Sequence, residues 1–326
     1  MDMTTCNHPA EKITVIIPMY NAAAFLKATL NSVLVQTFGN FKLLLIDDCS
    51  TDQTAEIARS YSDPRMLVVQ NETNQGAGAT RNKGIEYAQT TYIAFCDADD
   101  IMSPHRLEEQ FNFMELHPDI DICGSFVKII DKNGNSQGKY TFPTTHDEIA
   151  VAMFLRCAFM QSTAFIRTAT LKQSGLLYKE NHYAEDFDLW TRAVKQLKFH
   201  TLPRFLMYYT LSDSQLSAAS HEKQQKDAFL TYARMMKELG VKYNDAIIAV
   251  HYEIAHRINE TISAAWLQEY ETFCHECLRK NRERKIYKEA LWQRAIIHHY
   301  KKSQCLIHNK IIATLKTLFF VINHKN

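Results

Sequence analysis

Cysteine is scarce in this sequence, and so are long apolar runs. Eight cysteines among 326 residues are too few for a small scaffold held together by disulfides. The longest charge-free apolar segment, residues 13–26, contains Pro18 and Asn21 and is too short to span a bilayer. The first ten residues carry neither a basic flank nor an apolar stretch, which predicts no secretory signal. These absences together predict a protein of the reducing cytoplasm.

Extreme composition is absent as well. Hydrophobic residues make up 46% of the chain and charged residues 22%, which excludes collagen-like, low-complexity and largely disordered proteins. At roughly 150 residues per domain, the length corresponds to one large domain or two. A chain of this length buries roughly three quarters of its unfolded surface, so it needs no disulfide or metal ion to fold.

The net charge of +1 conceals an uneven distribution. Residues 279–326 include twelve Lys or Arg and two Glu, a net charge of +10, so the preceding 278 residues carry −9. Such asymmetry favours an anionic partner for the tail: a membrane surface, a phosphorylated acceptor or a nucleic acid. The alternative is a solvated helical face with no partner.

The first 116 residues alternate between apolar runs and segments with helical spacing, which is typical of an α/β fold with a mostly parallel sheet. The apolar runs predict buried strands at 13–18, 41–46, 66–70 and 91–96.

The pattern changes after Pro118. Two runs around the turn 132–135 predict a hairpin. The pattern after it predicts a helix at 146–157, a strand at 161–167, a helix at 184–197 and a strand at 199–209. The last 110 residues contain one glycine, Gly240, and no proline, which predicts a helical appendage. We therefore expect two domains, at 1–210 and 211–326.

Acidic residues follow the predicted strands at the points where those strands end. In open α/β sheets this edge is where ligands bind. So many carboxylates at one edge repel each other unless a cation or a donor-rich ligand lies among them. An Asp-X-Asp pair suits a hard divalent ion already bound to phosphate oxygens, whereas helix capping is the alternative role for single Asp residues. The three clusters are Asp47-Asp48, Asp97-Ala-Asp99-Asp100 and Glu185-Asp186.

Five ordered motifs resemble those of family 2 glycosyltransferases, which have the GT-A fold, and the resemblance covers about residues 12–210. It implies a Rossmann-like mixed sheet sandwiched by helices. The motifs are Thr14-Val-Ile-Ile-Pro-Met-Tyr-Asn21, Leu45-Ile-Asp-Asp-Cys-Ser-Thr-Asp52, Asn74-Gln-Gly-Ala-Gly-Ala-Thr-Arg-Asn-Lys-Gly84, Phe95-Cys-Asp-Ala-Asp-Asp100 and Glu185-Asp-Phe-Asp-Leu-Trp190.

The resemblance implies donor-binding roles for several residues. Pro18, Tyr20 and Asn21 would form the first nucleotide-binding loop. Asp48 matches the aspartate that accepts a hydrogen bond from the uracil or other base. Arg81 lies in the segment that flanks the diphosphate and the sugar.

The resemblance also implies a metal site and a catalytic base. Asp97 and Asp99 match the Asp-X-Asp pair that binds Mn²⁺ or Mg²⁺, with Asp99 as the direct ligand and Asp97 nearer the ribose. Asp186 matches the base, and Glu185 is its neighbour on the acceptor side.

This chemistry agrees with the residue types. A nucleotide diphosphate leaves readily only when its charge is neutralised, which a bound metal ion does. The acceptor hydroxyl loses its proton as it attacks, and a positioned carboxylate accepts that proton. A single displacement inverts the anomeric centre. Paired carboxylates also occur in glycosidases, but hydrolysis does not need the nucleotide and metal sites.

The sequence thus predicts an inverting hexosyl- or N-acetylhexosaminyltransferase. Its donor would be a nucleotide-sugar, with a UDP-sugar favoured. Its acceptor would be a glycan or lipid-linked glycan in cell-surface polysaccharide or lipooligosaccharide synthesis. The alternative is a catalytically silent nucleotide-binding protein of the same fold, which the intact Asp99 and Asp186 argue against.

Two departures from the family pattern affect this prediction. The Gln-X-X-Arg-Trp motif of processive members is missing after Asp186, which favours transfer of one sugar. A histidine that many members carry near the diphosphate is replaced in the stretch 208–217, where Ser212 or Asp213 stands instead.

The end of the chain predicts an amphipathic basic helix able to lie in a membrane interface. Lys302, Lys310 and Lys316 flank its apolar face, and a helix docked on the protein's own core is the alternative. The sequence shows no recognised nucleic-acid motif, so we expect no nucleic-acid partner. The predicted location is the cytoplasmic, inner face of a membrane. The apolar face comprises Ile307, Ile311, Leu315, Leu318 and Ile322.

Two other patterns are less informative. The segment from Gln75 to Arg81 resembles a dinucleotide fingerprint, but Arg81 occupies the third glycine position. Cys274 and Cys277 have zinc-like spacing without a second pair, so ordinary core or surface positions are favoured over a zinc site.

Overall fold

The computed structural model describes residues 11–211, 221–256 and 264–305. Within these ranges the chain forms nine strands, which all belong to one mixed sheet. The strands are β1 (Ile13–Met19), β2 (Phe41–Asp47), β3 (Met66–Gln70), β4 (Tyr92–Phe95), β5 (Ile101–Met102), β6 (Ile122–Ile130), β7 (Ser136–Tyr140), β8 (Phe165–Arg167) and β9 (Phe199–Thr210).

The helices within the described ranges connect or follow these strands. They are α1 (Leu26–Leu34), α2 (Thr54–Arg59), α3 (Ala77–Tyr87), α4 (Arg106–Leu116), α5 (His146–Leu155), α6 (Thr168–Ser174), α7 (Glu185–Ala193), α8 (His221–Leu239), α9 (Asp245–His256), α10 (Ala264–Arg284) and α11 (Glu289–Cys305), with a short 3₁₀ helix at Gln161–Thr163.

The first half of the sheet is parallel, and β1 lies in its centre. β1 pairs with β2 and β4, and β2 pairs with β3, all in parallel. β1 is apolar on both faces, as a strand covered by helices on both sides must be. Its residues Val15 and Ile17 pack in the core with α1 and α4, and its Ile16 faces Gly84 of α3.

The second half of the sheet mixes strand directions. β8 is antiparallel to both β4 and β6, whereas β6 and β9 are parallel. The strand order is β3-β2-β1-β4-β8-β6-β9-β5, with β7 on β6 as the expected hairpin. The mixed, helix-covered sheet of the expected fold class is confirmed.

Three local features differ from the sequence-based prediction. The predicted strand 161–167 is a 3₁₀ turn followed by the shorter β8, and β5 and α6 were not expected. β5 has two residues, which is too short to produce a periodicity.

The described residues divide into two compact units. Residues up to Thr144 and from Phe159 to Leu211 form the first, which contains the sheet. The second combines residues 145–158 with the described helices from His221 onward. A single boundary at residue 210 does not describe this arrangement, because α5 joins the C-terminal helices.

Hydrogen bonds within the second unit explain why α5 belongs there. The carbonyl of Phe154 accepts a hydrogen bond from Nε2 of the buried His251 at 2.8 Å. The hydroxyl of Tyr232 donates to the carbonyl of Leu155 at 3.2 Å. Because the last carbonyls of a helix have no partner within that helix, these side chains cap α5.

The remaining predictions for the C-terminal region have different outcomes. Its helical character is confirmed where the structure describes it. Cys274 and Cys277 are buried core residues. None of the helices in the described ranges is long and apolar enough to cross a bilayer. The predicted amphipathic helix at 307–322 lies outside the described residues.

Candidate active site

The acidic turn after β4 lies at the carboxyl edge of the sheet. Asp97 and Asp99 are partly exposed, whereas Asp100 is buried and its carboxylate accepts a hydrogen bond from the amide of Thr210 at 3.2 Å. Burial raises the pKa of Asp100 well above its ordinary value, and the charges of Asp99 and Asp97 raise it further. Negative charge is therefore crowded on this turn.

The second acidic element is the first turn of α7, which begins with Glu185 and Asp186. Carboxylates are favoured there because the amino end of a helix carries a partial positive charge. The Asp186 carboxylate accepts a hydrogen bond from the amide of Phe187 at 2.7 Å. Burial raises the pKa of Asp186, and the charge of Arg81 opposes that rise. A raised pKa suits a group that accepts a proton during a reaction.

Arg81 joins these two acidic elements. Its Nη2 lies 2.7 Å from Oδ1 of Asp97, and its Nη1 lies 2.6 Å from Oε1 of Glu185. The pairing brings together residues that are 104 positions apart in the chain. Burial would lower the pKa of Arg81, but the charges of Asp97 and Glu185 outweigh it and keep the guanidinium protonated.

Close packing places α3, which carries Arg81, beside α7. A Cβ atom on Gly78 would lie 3.0 Å from the carbonyl oxygen of Lys179 and 3.5 Å from Cβ of Glu185. Gly78 therefore permits the close approach of α3 to α7 that the Arg81–Glu185 salt bridge requires.

The loop before α7 is anchored at several points. Asn82 donates to the carbonyl of Tyr178 at 2.8 Å and accepts from its amide at 2.9 Å. The buried carboxylate of Asp188 binds Lys179 at 2.7 Å and Arg192 at 2.8 Å. Burial alone would raise the pKa of Asp188, but these two cations lower it. The loop thus places the Tyr178 ring beneath the Arg81 guanidinium. The distance from Cζ of Arg81 to the centroid of the ring is 5.6 Å.

On the predicted nucleotide side of the site, the carboxylate of Asp48 forms hydrogen bonds with other groups of the protein. Its oxygens accept hydrogen bonds from Asn71 at 2.7 Å, from the amide of Gln75 at 2.9 Å and from the amide of Gly76 at 2.8 Å. The residue is 3% exposed. Asp48 therefore shapes the loop that leads into α3, a role that sequence reasoning did not include. Its contact with a nucleotide base stays a prediction.

The loop after β1 adjoins the loop after β2. The side chain of Asn21 accepts a hydrogen bond from the amide of Thr51 at 2.9 Å, and its own amide donates to Ser50 at 3.0 Å. Asn21 has a φ of +48°, a left-handed conformation that asparagine tolerates. Tyr20 is exposed and Pro18 is partly buried at the end of β1.

Sequence reasoning missed several residues that hold the site together. Ser162 accepts a hydrogen bond from the amide of Asp97 at 3.0 Å, and Gln161 accepts one from the Tyr178 hydroxyl at 2.9 Å. Nothing in their sequence context indicated these roles. Asn82 lies in the motif from Asn74 to Gly84, and Asp188 lies in the motif from Glu185 to Trp190. Their positions in these motifs were the sequence signal that could have identified them. Ser212 and Asp213, the alternatives to the missing histidine, lie outside the described residues.

The acidic turn fits a divalent ion by its chemistry. Asp97 and Asp99 supply hard oxygen ligands, and the raised pKa of Asp100 reflects the charge that a cation would offset. Among the residues that the structure describes, no three or more His, Cys, Asp or Glu side chains are grouped to hold an ion by themselves. An ion shared with substrate phosphates needs only one or two carboxylates from the protein.

The sequence is similar to that of known glycosyltransferases. The model of the family described as "Glycosyl transferase family 2" matches residues 14–174. An uncharacterised glycosyltransferase of Methanocaldococcus jannaschii is 32% identical over 230 residues, which cover 67% of this chain and 77% of that protein. The Escherichia coli protein UDP-Glc:alpha-D-GlcNAc-diphosphoundecaprenol beta-1,3-glucosyltransferase WfaP is 27% identical over 244 residues, covering 74% and 92%.

Solved structures share the fold. TarS 1-349 of S. aureus, crystallised with UDP-GlcNAc, superposes with a TM-score of 0.60 at 20% identity and covers 90% of each chain. The mannosyltransferase PcManGT of Pyrobaculum calidifontis, solved with GDP-Man and Mn²⁺, gives a TM-score of 0.54 at 14% identity, covering 94% of this chain and 87% of that one. At these identities the likeness concerns the fold.

The ordered motifs, the mixed sheet and the similarity along two thirds of the chain agree with one another. This chain belongs to glycosyl transferase family 2.

Proposed function

We propose that this protein is an inverting, metal-dependent glycosyltransferase that moves one sugar from a UDP-sugar to a lipid-linked glycan acceptor. Its place would be the synthesis of a cell-surface polysaccharide or lipooligosaccharide. The observation that carries the proposal is the pair of salt bridges from Arg81 to Asp97 and Glu185. They join the carboxylates expected on the donor side to those expected on the acceptor side.

Asp186 is the proposed catalytic base. It stands at the start of α7, is partly exposed and has a raised pKa because it is largely desolvated. It would accept the proton of the acceptor hydroxyl as that oxygen attacks the anomeric carbon. One displacement from the face opposite the diphosphate inverts the anomeric centre, and no covalent sugar–enzyme intermediate forms.

Asp99, with Asp97 beside it, would hold Mn²⁺ or Mg²⁺ against the donor diphosphate. When bound, the ion supplies positive charge to the departing nucleotide diphosphate. Asp97 is already oriented from the protein side by Ser162 and Arg81. Asp100 stays buried and supports the turn.

The nucleotide would lie against the loops after β1 and β2, beside Pro18, Tyr20 and Asn21. The hydrogen bonds between Asn21 and the Ser50–Thr51 segment hold these two loops together in advance of binding. Asp48 would accept a hydrogen bond from the nucleotide base, and its bonds to Asn71 and Gly76 shape the adjoining loop.

Two comparisons support the choice of donor and acceptor. WfaP, as its name states, uses UDP-Glc and an undecaprenol-linked acceptor, and TarS was crystallised with UDP-GlcNAc. The +10 charge of residues 279–326 would hold the enzyme at an anionic inner membrane surface, where a lipid-linked acceptor resides.

The direct test is turnover of a panel of UDP-sugars, namely UDP-Glc, UDP-GlcNAc, UDP-Gal and UDP-GalNAc, with a synthetic GlcNAc-diphospholipid as acceptor and MnCl₂. We expect UDP release, a product heavier by one sugar, and an inverted anomeric configuration by NMR. Excess EDTA should stop the reaction and added Mn²⁺ should restore it.

This assay can contradict each part of the proposal separately. Full turnover in excess EDTA contradicts the metal dependence, and a retained configuration contradicts the single displacement. UDP binding without turnover of any donor supports a catalytically silent nucleotide-binding protein. GDP-Man serves as a further donor, and its exclusive use contradicts the choice of UDP.

A further inference from the structure

The guanidinium of Arg81 lies behind the carboxylates that it binds. The side chain of Asp97 is 29% exposed and that of Glu185 is 13% exposed, whereas that of Arg81 is 7% exposed. Its Nη1 and Nη2 atoms each donate to a carboxylate, and Nε is buried without a hydrogen-bond partner among the described residues. A ligand that approaches from solvent therefore meets the carboxylates before it meets the guanidinium.

The position of Arg81 is also fixed by an aromatic contact. The ring of Tyr178 lies 5.6 Å from the Arg81 carbon Cζ, and the Tyr178 hydroxyl donates to Gln161. Asn82 holds the Tyr178 backbone by two hydrogen bonds. The cation thus has little freedom to swing out toward a diphosphate.

We propose that Arg81 is a positioning residue that sets the spacing between Asp97 on the donor side and the Glu185–Asp186 pair on the acceptor side, and that it makes no contact with the diphosphate. This inference rests on the proposed function, because it assigns those two sides. It replaces the donor-binding role that the family resemblance implies for Arg81.

The geometry explains why arginine is needed at this position. The two ends of one planar guanidinium hold two carboxylates at a fixed separation, which the single ammonium of lysine cannot do. In reactions between two bound substrates, a displacement of about 1 Å costs roughly 100-fold in rate. Loss of Arg81 should therefore lower the rate of transfer more than it weakens donor binding.

The test compares Arg81→Gln, Arg81→Lys, Glu185→Gln and the double variant Arg81→Gln/Glu185→Gln in the full-length protein. We expect Arg81→Gln to lower kcat roughly 100-fold, whereas the donor KM and the Kd for UDP with Mn²⁺, measured by titration calorimetry, change much less. Arg81→Lys should recover only part of kcat. The double variant should be about as slow as the slower single variant, because both substitutions remove the same Arg81–Glu185 salt bridge.

The matched control is Arg65→Gln. Arg65 also pairs with a carboxylate, Asp63, at 2.8 Å, but it precedes β3 at the opposite edge of the sheet. Its loss should leave kcat and KM unchanged. If Arg81→Gln unfolds below the assay temperature, Arg81→Lys keeps the buried positive charge, and the same split between kcat and KM applies to it.

Three results overturn the inference: a loss confined to donor KM and UDP affinity, independent effects of Arg81→Gln and Glu185→Gln that multiply, or unchanged kcat in Arg81→Gln. The first result would show that Arg81 binds the donor diphosphate. A wild-type protein that neither binds UDP nor turns over any donor is a different outcome, because it contradicts the proposed function itself.

Discussion

The hydroxyl of Ser162 accepts a hydrogen bond from the backbone amide of Asp97, with 3.0 Å between the two atoms. The side-chain hydroxyl of Ser162 also bonds the carboxylate of Asp100 and thereby opposes the rise in its pKa. One buried serine thus supports both ends of the acidic turn.

Ser162→Ala should therefore loosen this turn without removing a carboxylate. An unsatisfied buried amide costs about 1–3 kcal/mol, so we expect a lower melting temperature and a lower kcat. Thermal denaturation and turnover kinetics measure the two effects. Ser60→Ala, at an exposed serine that bonds a carbonyl of its own helical turn, is the control and should change neither. Wild-type kcat in Ser162→Ala would show that the turn keeps its shape without this bond.

Asp186→Asn should remove transfer while preserving nucleotide binding. A general base contributes about 100-fold to 10,000-fold, and the amide cannot accept the proton. Transfer is measured as turnover of the UDP-sugar that the wild-type enzyme uses, and nucleotide binding is measured by calorimetric titration with UDP. Near-normal transfer would move the base elsewhere, with Glu185 as the next candidate. Lost UDP binding would place Asp186 on the donor side.

Gly84→Ala should destabilise the first unit. A Cβ atom there would lie 2.6 Å from Cγ2 of Ile16, so α3 would have to move away from β1. Overpacking of this kind costs about 1–3 kcal/mol. Chemical denaturation followed by circular dichroism measures it. Gly39→Ala is the matched control, because no atom lies within 4 Å of the added Cβ and its φ is not positive. Equal stability of the two variants would show that the α3–β1 contact is more compliant than the structure indicates.

The second unit should lose stability in acid because of a buried histidine. Burial lowers the pKa of His251 from 6.5 to about 4. Below pH 6.5 this histidine is protonated in the unfolded chain but stays neutral in the folded chain. The free energy of unfolding therefore falls as the pH drops from 6.5 toward 4. Denaturant melts between pH 5 and 7.5, followed by tryptophan fluorescence, should show this pH dependence. Trp292, which packs against Phe154, is a reporter within the second unit.

His251→Gln tests the assignment, since glutamine keeps a donor and an acceptor but binds no proton in this range. It should reduce the pH dependence, whereas His105→Gln, at an exposed position, should not. An unchanged slope in His251→Gln would assign the effect to another group, with the buried His299 as the next candidate, because its pKa is also lowered by burial.

Removal of residues 301–326 should release the protein from anionic vesicles. Each basic residue near such a surface contributes about 1 kcal/mol, and the apolar face adds an attraction that salt does not screen. Co-sedimentation of the full-length protein with phosphatidylserine vesicles should weaken with salt without vanishing. Transfer to small soluble acceptors should survive the truncation. A full-length protein that does not bind vesicles at low salt would contradict the membrane proposal. A truncated protein that unfolds would show that the tail packs on the core.

The sequence by itself determined the order of β1 to β4 and of the helices between and after them in the first 116 residues, but not the two-residue β5. Apolar runs of five or six residues and the polar turns after them are local signals, and β1 to β4 appear where those signals predict strands. The motifs also indicated the family, because their residue types and order are properties of the chain alone.

Only the tertiary structure decided how these segments are joined. The pairing of Arg81 with Asp97 and Glu185, the internal bonds of Asp48 and the support from Ser162 all connect distant positions. No local pattern encodes such contacts, because they depend on the strand order and on how closely the helices approach. The membership of α5 in the second unit has the same cause: its carbonyls are capped by side chains about 80 to 100 positions away.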